Sequence, residues 1–313
     1  MKKILALFLI FCVIIVVIIY FNLPANNSFS KTIYLKTNQS AAERFLFDES
    51  NWIKWWPSDL KNNLAIINIK NDHNNYSYSL YKKMYGGINI VIKKNETEFR
   101  TTINLLSLGK DSLAVAWNCQ LPTNVNPIFK IRNYFYAKNL KRNADEILEN
   151  LKSFLENNDS VYSIHIKQIM VTDTLLIATR YASATYPSTP VIYGLIQNLK
   201  NYISINNATE TNPPMLHIAY DSGYYKTMIA VPVNRELEDN GNFLLKKMVS
   251  GKILVTQIKG GLSTTSEAFR QLQIYVDDNH LSSPAIPFES LITNRMTESD
   301  TSKWITKIYY PIF

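Results

Sequence analysis

The sequence predicts an α+β protein: a curved antiparallel sheet closed by a long helix, then a duplicated β-α-β-β unit, the whole behind one N-terminal transmembrane helix. Three observations predict it. Residues 4–21 form an unbroken apolar run, residues 31–160 read as strand, short helix, several strands and one long helix, and residues 163–313 can be laid against themselves. With 313 residues, 46% of them apolar and 19% charged, the chain has enough material for two hydrophobic cores.

The apolar run "ILALFLIFCVIIVVIIYF" follows Lys2 and Lys3. At 1.5 Å per helical residue it reaches roughly 27 Å, close to the hydrocarbon thickness of a bilayer. A cleaved signal peptide is the alternative, but its apolar region is usually about 7 to 15 residues, and no A-x-A site follows here. Lipidation of Cys12 is disfavoured by the bulky Phe11 before it. An uncleaved anchor over residues 1–22 is therefore expected, with residues 23–30 as spacer. The positive-inside rule then puts the N-terminus in the cytoplasm and the soluble units on the periplasmic side.

In residues 31–160, "KTIYLKT" alternates as a strand, and Asn38 is placed to cap the short helix "QSAAERFLF". Trp52, Trp55 and Trp56 follow, closed by Pro57. They read either as a plug for the open end of a curved sheet or as a carbohydrate- or lipid-binding platform. Strands are expected over "NLAIINIK", "YSYSLYKKM", "INIVIKK", "EFRTTINLLSL" and "SLAVAWNCQL". A long helix over about 128–156 carries Ala144, Ile147, Leu148, Leu151, Phe154 and Leu155 on one stripe. This order, with the segment "FLFDESNWIKWWP", resembles the SRPBCC superfamily of START-like and polyketide-cyclase-like domains. The resemblance implies a helix-grip fold that holds an apolar ligand between sheet and helix.

In residues 163–313, "LLIATRY" is echoed by "KILVTQI", setting Thr179 against Thr256. A helix follows each, with Ser188 or Thr189 as cap and Pro190 in the first turn of one, and Thr264 with Glu267 at capping-box spacing in the other. Then come "PMLHIAY" and "PFESLIT", and last "YKTMIAVPV" and "WITKIYYPI", matching Tyr225 to Trp304, Thr227 to Thr306 and Pro232 to Pro311. Two such copies side by side place two helices on one sheet face with a groove between them. "MIAVPV", "SPAIPFESLIT" and the terminal "WITKIYYPIF" resemble the GyrI-like small-molecule-binding domain, also called the AraC effector-binding domain. In regulators that domain is joined to a helix-turn-helix unit, which the residues before 163 do not resemble.

The resemblance implies an acidic residue in the central groove, and Glu289 matches it. The repeat supports this position independently, because its counterpart in the first copy is Leu216, and a carboxylate in an apolar pattern is a local exception. The alternative is a strand-edge glutamate facing water. Trp304, Tyr309 and Tyr193 are further ligand-binding candidates whose rings suit stacking on an aromatic or cationic molecule; each also fits simple packing.

No catalytic residues are assigned: no Ser/His/Asp arrangement is legible, and "IKGG" lacks the lysine and spacing of a phosphate loop. His73, His165, His217 and His280 are scattered, so no metal site or cofactor is expected. The net charge of +8 comes from dispersed lysines and not from a basic stripe, which argues against a nucleic-acid partner. The leading expectation is a membrane-anchored protein that binds apolar or amphipathic small molecules, cationic ones included, without turnover, as sensor, scavenger or carrier. A hydrolase using Glu289 as general base on water is the alternative, and a structural envelope protein that binds a peptide or protein partner is a third reading.

Overall fold

The computed structural model describes residues 4, 11, 14, 18, 20–22, 28–57, 69–71, 76–94, 97–121, 126–172, 174–283 and 285–313. The expected membrane span lies largely outside these residues, as do most of the spacer and of the strand expected over 63–70. Among the described residues, no helix is long and apolar enough to cross a membrane. The chain divides into two compact units, Met1–Asn157 and Asn158–Phe313.

The first unit runs β1 (Ser28–Leu35), α1 (Gln39–Leu46), a 3-10 turn (Glu49–Lys54), β2 (Ile69–Asn71), β3 (Tyr76–Met84), β4 (Gly87–Lys94), β5 (Thr97–Gly109), β6 (Ser112–Gln120) and α2 (Pro127–Leu155). The strands form one antiparallel sheet in the order β1-β6-β5-β4-β3-β2. Alternation sets the buried face: Phe99, Thr101, Ile103 and Leu105 of β5 point inward and their neighbours outward. Asn38 caps α1, its Oδ1 accepting from the Ala41 amide at 2.7 Å. Asn126 caps α2 with Pro127 in the first turn, and Leu140, Ala144, Ile147, Leu148, Leu151 and Leu155 bury the inner stripe.

Trp52, Trp55 and Trp56 are all buried. Trp52 and Trp56 stack at 5.0 Å with ring planes 12° apart, and Trp56 meets Tyr78 at 5.0 Å and Trp117 at 6.5 Å. The indole N–H of Trp52 donates to the Leu46 carbonyl at 2.9 Å, and that of Trp55 to the Phe45 carbonyl at 3.2 Å. These bonds tie the turn to the end of α1, so the triplet is core, with no face open as a platform.

The second unit runs α3 (Asn158–Tyr162), β7 (Lys167–Met170), β8 (Leu175–Ser183), α4 (Thr189–Ile205), β9 (Met215–Asp221), β10 (Tyr224–Pro232), β11 (Leu244–Lys247), β12 (Lys252–Lys259), α5 (Leu262–Asp278), β13 (Phe288–Leu291), a 3-10 turn (Thr301–Lys303) and β14 (Ile305–Ile312). All eight strands join in the order β11-β8-β10-β9-β13-β14-β12-β7. Within it the copies β8-α4-β9-β10 and β12-α5-β13-β14 are equivalent in register. Ile229 sits opposite Thr179 and Leu216, while Ile308 sits opposite Thr256 and Glu289. The copies meet where β9 pairs β13 through Glu289 with Leu216 and Ser290 with Met215.

The helices begin differently from one another. Ser188 occupies the cap position of α4 with Pro190 in its first turn. In the second copy the expected cap at Thr264 falls inside α5, which starts at Leu262. Gly260, at φ +148°, lets the chain turn straight from β12 into the helix. A Cβ there would lie 2.4 Å from Thr264 Oγ1, so this approach excludes a side chain.

One face of the sheet packs on the helices: Ile177, Leu216, Ile229 and Val231 against Leu199 and Ile203 of α4, and Leu254 and Ile308 against Leu272 and Val276 of α5. The opposite face carries a third cluster, including Leu176, Ala178, Met215, Ala230, Ile253 and Phe288.

Candidate functional site

Glu289 lies at the centre of the second unit. The pair it forms with Leu216 is the point about which the two copies are related, because each residue is the other's counterpart. Both point to the helix face, and there they border a cavity of about 250 Å³ whose walls include Tyr186, Ile218, Leu262, Thr265 and Phe269. The polar part of its lining is the Glu289 carboxyl, His217, the Tyr186 hydroxyl and the hydroxyls of Thr265 and Ser266, and the rest is apolar or aromatic.

Glu289 is 8% exposed. A buried carboxylate requires a partner, and Arg295 supplies it, with Nη2 donating to Glu289 Oε2 at 2.9 Å and to Thr306 Oγ1 at 2.9 Å. The guanidinium lies over the Trp304 ring, 4.8 Å from its centroid. The Trp304 indole N–H donates to the Glu298 carbonyl at 2.8 Å. Tyr193 fixes the loop from the helix side: its hydroxyl donates to the Thr293 carbonyl at 3.1 Å and accepts from the Arg295 amide at 2.8 Å.

Two opposing effects act on Glu289. Burial raises its pKa, and the charge and hydrogen bond of Arg295 lower it; burial is the larger, and the net direction is upward. Tyr186 is pushed up to about 12, first by burial and then by the negative charge of Glu289. His217, on the neighbouring strand, donates from Nδ1 to the Pro287 carbonyl at 2.8 Å, which fixes that tautomer.

Of the four candidates read from the sequence, Glu289 and Trp304 come together, with Arg295 between them. Tyr193 braces the same loop but borders a separate cavity of about 480 Å³ beside Lys200, Glu210 and Asn294. Tyr309 lies on the opposite sheet face, stacked on Phe288 at 5.0 Å with planes 12° apart. The reason is register: Ile308 is the residue opposite Glu289, so its neighbour Tyr309 must point the other way. The four residues therefore do not make one site.

Sequence reasoning missed Arg295. It sits in the connection 292–304, where the first copy has only the tight turn between Asp221 and Tyr224, so the repeat holds no counterpart to expose it. The asymmetry has a local mark. Thr306 accepts from Arg295, whereas the buried hydroxyl of its equivalent Thr227 has no hydrogen-bond partner among the described residues. Among the described residues there is also no group of three His, Cys, Asp or Glu side chains placed to hold a metal ion.

No family profile matches the chain, and no curated protein does. Solved structures do. The EcmrR C-terminal domain is 17% identical over 48% of this chain and 98% of its own, with a TM-score of 0.42. SAV2435 bound to tetraphenylphosphonium is 16% identical over 48% of this chain and 94% of its own, with a TM-score of 0.33. A hydrolase from Listeria innocua is 12% identical over 47% of this chain and 92% of its own, with a TM-score of 0.35. The two β-α-β-β copies of the second unit are related through its own strand register.

Proposed function

We propose that the second unit binds a small amphipathic organic molecule in the groove beside Glu289 and releases it unchanged. The observation that carries this reading is one buried, ion-paired carboxyl in a largely apolar and aromatic wall of a groove at the junction of the two copies. Concave, largely apolar sites with a few convergent polar groups are where small molecules bind. Arg295 also bears on the choice of ligand. It offsets the charge a cationic molecule would seek, so the groove suits neutral or zwitterionic ligands whose apolar part lies on Tyr186 and Phe269. Hydrolysis is the weaker reading, since a general base needs a carboxylate free to take a proton from water, and the guanidinium engages that of Glu289. The sensor, scavenger or carrier role stays attached to this binding reading. We further propose that the first unit is an SRPBCC-like helix-grip domain, and that residues 4–21 anchor both units on the periplasmic side.

A compound screen by thermal shift on the full chain tests the binding claim. A ligand at 100 times its Kd should add about 2.7 kcal/mol of stability. Hits should lose at least tenfold in affinity in Phe269→Ala. No stabilising compound, or hits indifferent to that change, would sink the groove; a hit consumed with a hydrolysis product appearing by mass spectrometry would favour the hydrolase. For topology, protease added to intact spheroplasts should digest both units, and protection would overturn the anchor's orientation.

A further inference from the structure

A further cavity, of about 580 Å³, lies not beside Glu289 but on the other face of the sheet. Its existence follows from chain connectivity. β11 and β12 stand six places apart in the sheet, a separation of about 29 Å if the sheet were flat. Only residues 248–251 join them, and the steps from Lys247 to Lys252 reach at most about 19 Å. The connection from β7 to β8 faces the same restriction. The sheet must therefore curl until its edges approach. The two connections are bonded to each other across the gap, the Val171 amide donating to the Gly251 carbonyl at 2.9 Å and the Met248 amide to the Thr174 carbonyl at 2.8 Å. The cavity lies inside this curl.

Its interior and its rim differ in chemistry. Inside, Met215, Met228, Met248 and Phe288 provide a mainly apolar surface, interrupted by His217, whose Nδ1 is engaged by the Pro287 carbonyl, and methionine side chains adapt to an unbranched chain better than branched ones do. At the rim stand Arg180, Lys246, Lys247 and Lys252, and none of the lining residues is acidic. Lys247 pairs with Glu236. Arg180, Lys246 and Lys252 form no ion pair among the described residues, which is the reverse of Glu289, whose charge Arg295 meets internally. An apolar interior with uncompensated cations at its rim is complementary to one class of molecule, an unbranched chain ending in an anion.

We infer that this cavity holds a single-chain anionic amphiphile, a long-chain carboxylate, with its chain against the methionines and its headgroup among Arg180, Lys246 and Lys252. The site is separate from the Glu289 groove, and the inference stands whether or not that groove binds anything.

Photolabelling tests it. The probe is a palmitic acid analogue with a diazirine on its chain, applied to the full chain in nonionic micelles, and adducts are mapped by peptide mass spectrometry. Adducts are expected on the segments carrying Met215, Met228 and Met248. Palmitate should compete, and hexadecyltrimethylammonium, of equal length and opposite charge, should not. Lys246→Gln combined with Lys252→Gln should lower labelling about tenfold; these half-buried and exposed positions leave the fold intact. Ala230→Leu, which fills the cavity, should lower it independently. Adducts confined to Tyr186 and Phe269 or spread evenly along the chain would overturn the inference. So would labelling unchanged in the lysine variant, or equal competition by the ammonium compound.

Discussion

Glu289 and Arg295 set the energetics of the centre of the second unit. Removing one member of a buried ion pair leaves an uncompensated charge, which typically costs about 3–5 kcal/mol. Arg295→Ala should therefore destabilise the unit by about that amount in urea titrations. Replacing both, as Glu289→Leu with Arg295→Met, should come out close to neutral, because the first copy already carries Leu216 at the equivalent position. A double variant as unstable as the single one would refute this account. The pair also predicts a pH dependence. The ordinary glutamate value is 4.5, and burial raises it in the folded protein. Below 4.5 both states hold the proton; as pH rises from 4.5 to the raised value, the unfolded chain releases it first and folding loses stability. Glu289→Gln removes that slope, so the stability of wild type relative to this variant should fall as pH rises from 4.5 toward the raised value. A difference that does not change with pH would contradict the raised titration. Glu289 was legible in the sequence because a repeat makes an exception visible. Arg295 was not, because it lies in a connection that the first copy lacks.

At the scale of elements, strands were the most legible part. β3 and β6 fall where alternating apolar residues end at turn signals, since a half-buried strand writes its burial into sequence with period two. The start of α5 was less legible. Thr264 and Glu267 have the spacing of a cap, but a left-handed glycine in the preceding connection begins the helix earlier. Gly260→Ala should accordingly cost about 2 kcal/mol, from strain at positive φ and from the contact with Thr264. Adding Thr264→Ala should recover only the contact part, and an unchanged urea midpoint in Gly260→Ala would show the turn to be relaxed. The tryptophan turn yields a parallel expectation. Trp52→Ala removes a fully buried side chain from a stacked cluster and should cost about 3–5 kcal/mol. A loss below 1 kcal/mol would mean that the cluster is not the core of the first unit.

At the scale of the whole molecule, each unit is closed by its last long element: α2 packs against β1 in the first unit, and β14 lies between β13 and β12 in the second. The duplicated order was readable because both copies keep the same sequence of strand, helix, strand and strand. The curl of the sheet was not, since it depends on the short connections from β7 to β8 and from β11 to β12, which look like ordinary turns until the strand order is known. The apolar ending of the chain is explained by the position of β14. It supplies ladder partners on both sides, and Ile308 and Tyr310 to the core. Ending the chain after Lys303 should therefore leave β12 and β13 each short of a partner, expose the helix α5 core and unfold the second unit. The first unit shares none of these strands and should keep its own cooperative transition. Limited proteolysis with peptide mapping reads both outcomes at once: rapid cleavage throughout residues 158–303, and persistence of a fragment that contains residues 28–157. Survival of the second unit in this truncation would show that β14 is an accessory strand, and the role assigned to the terminal segment would fall with it.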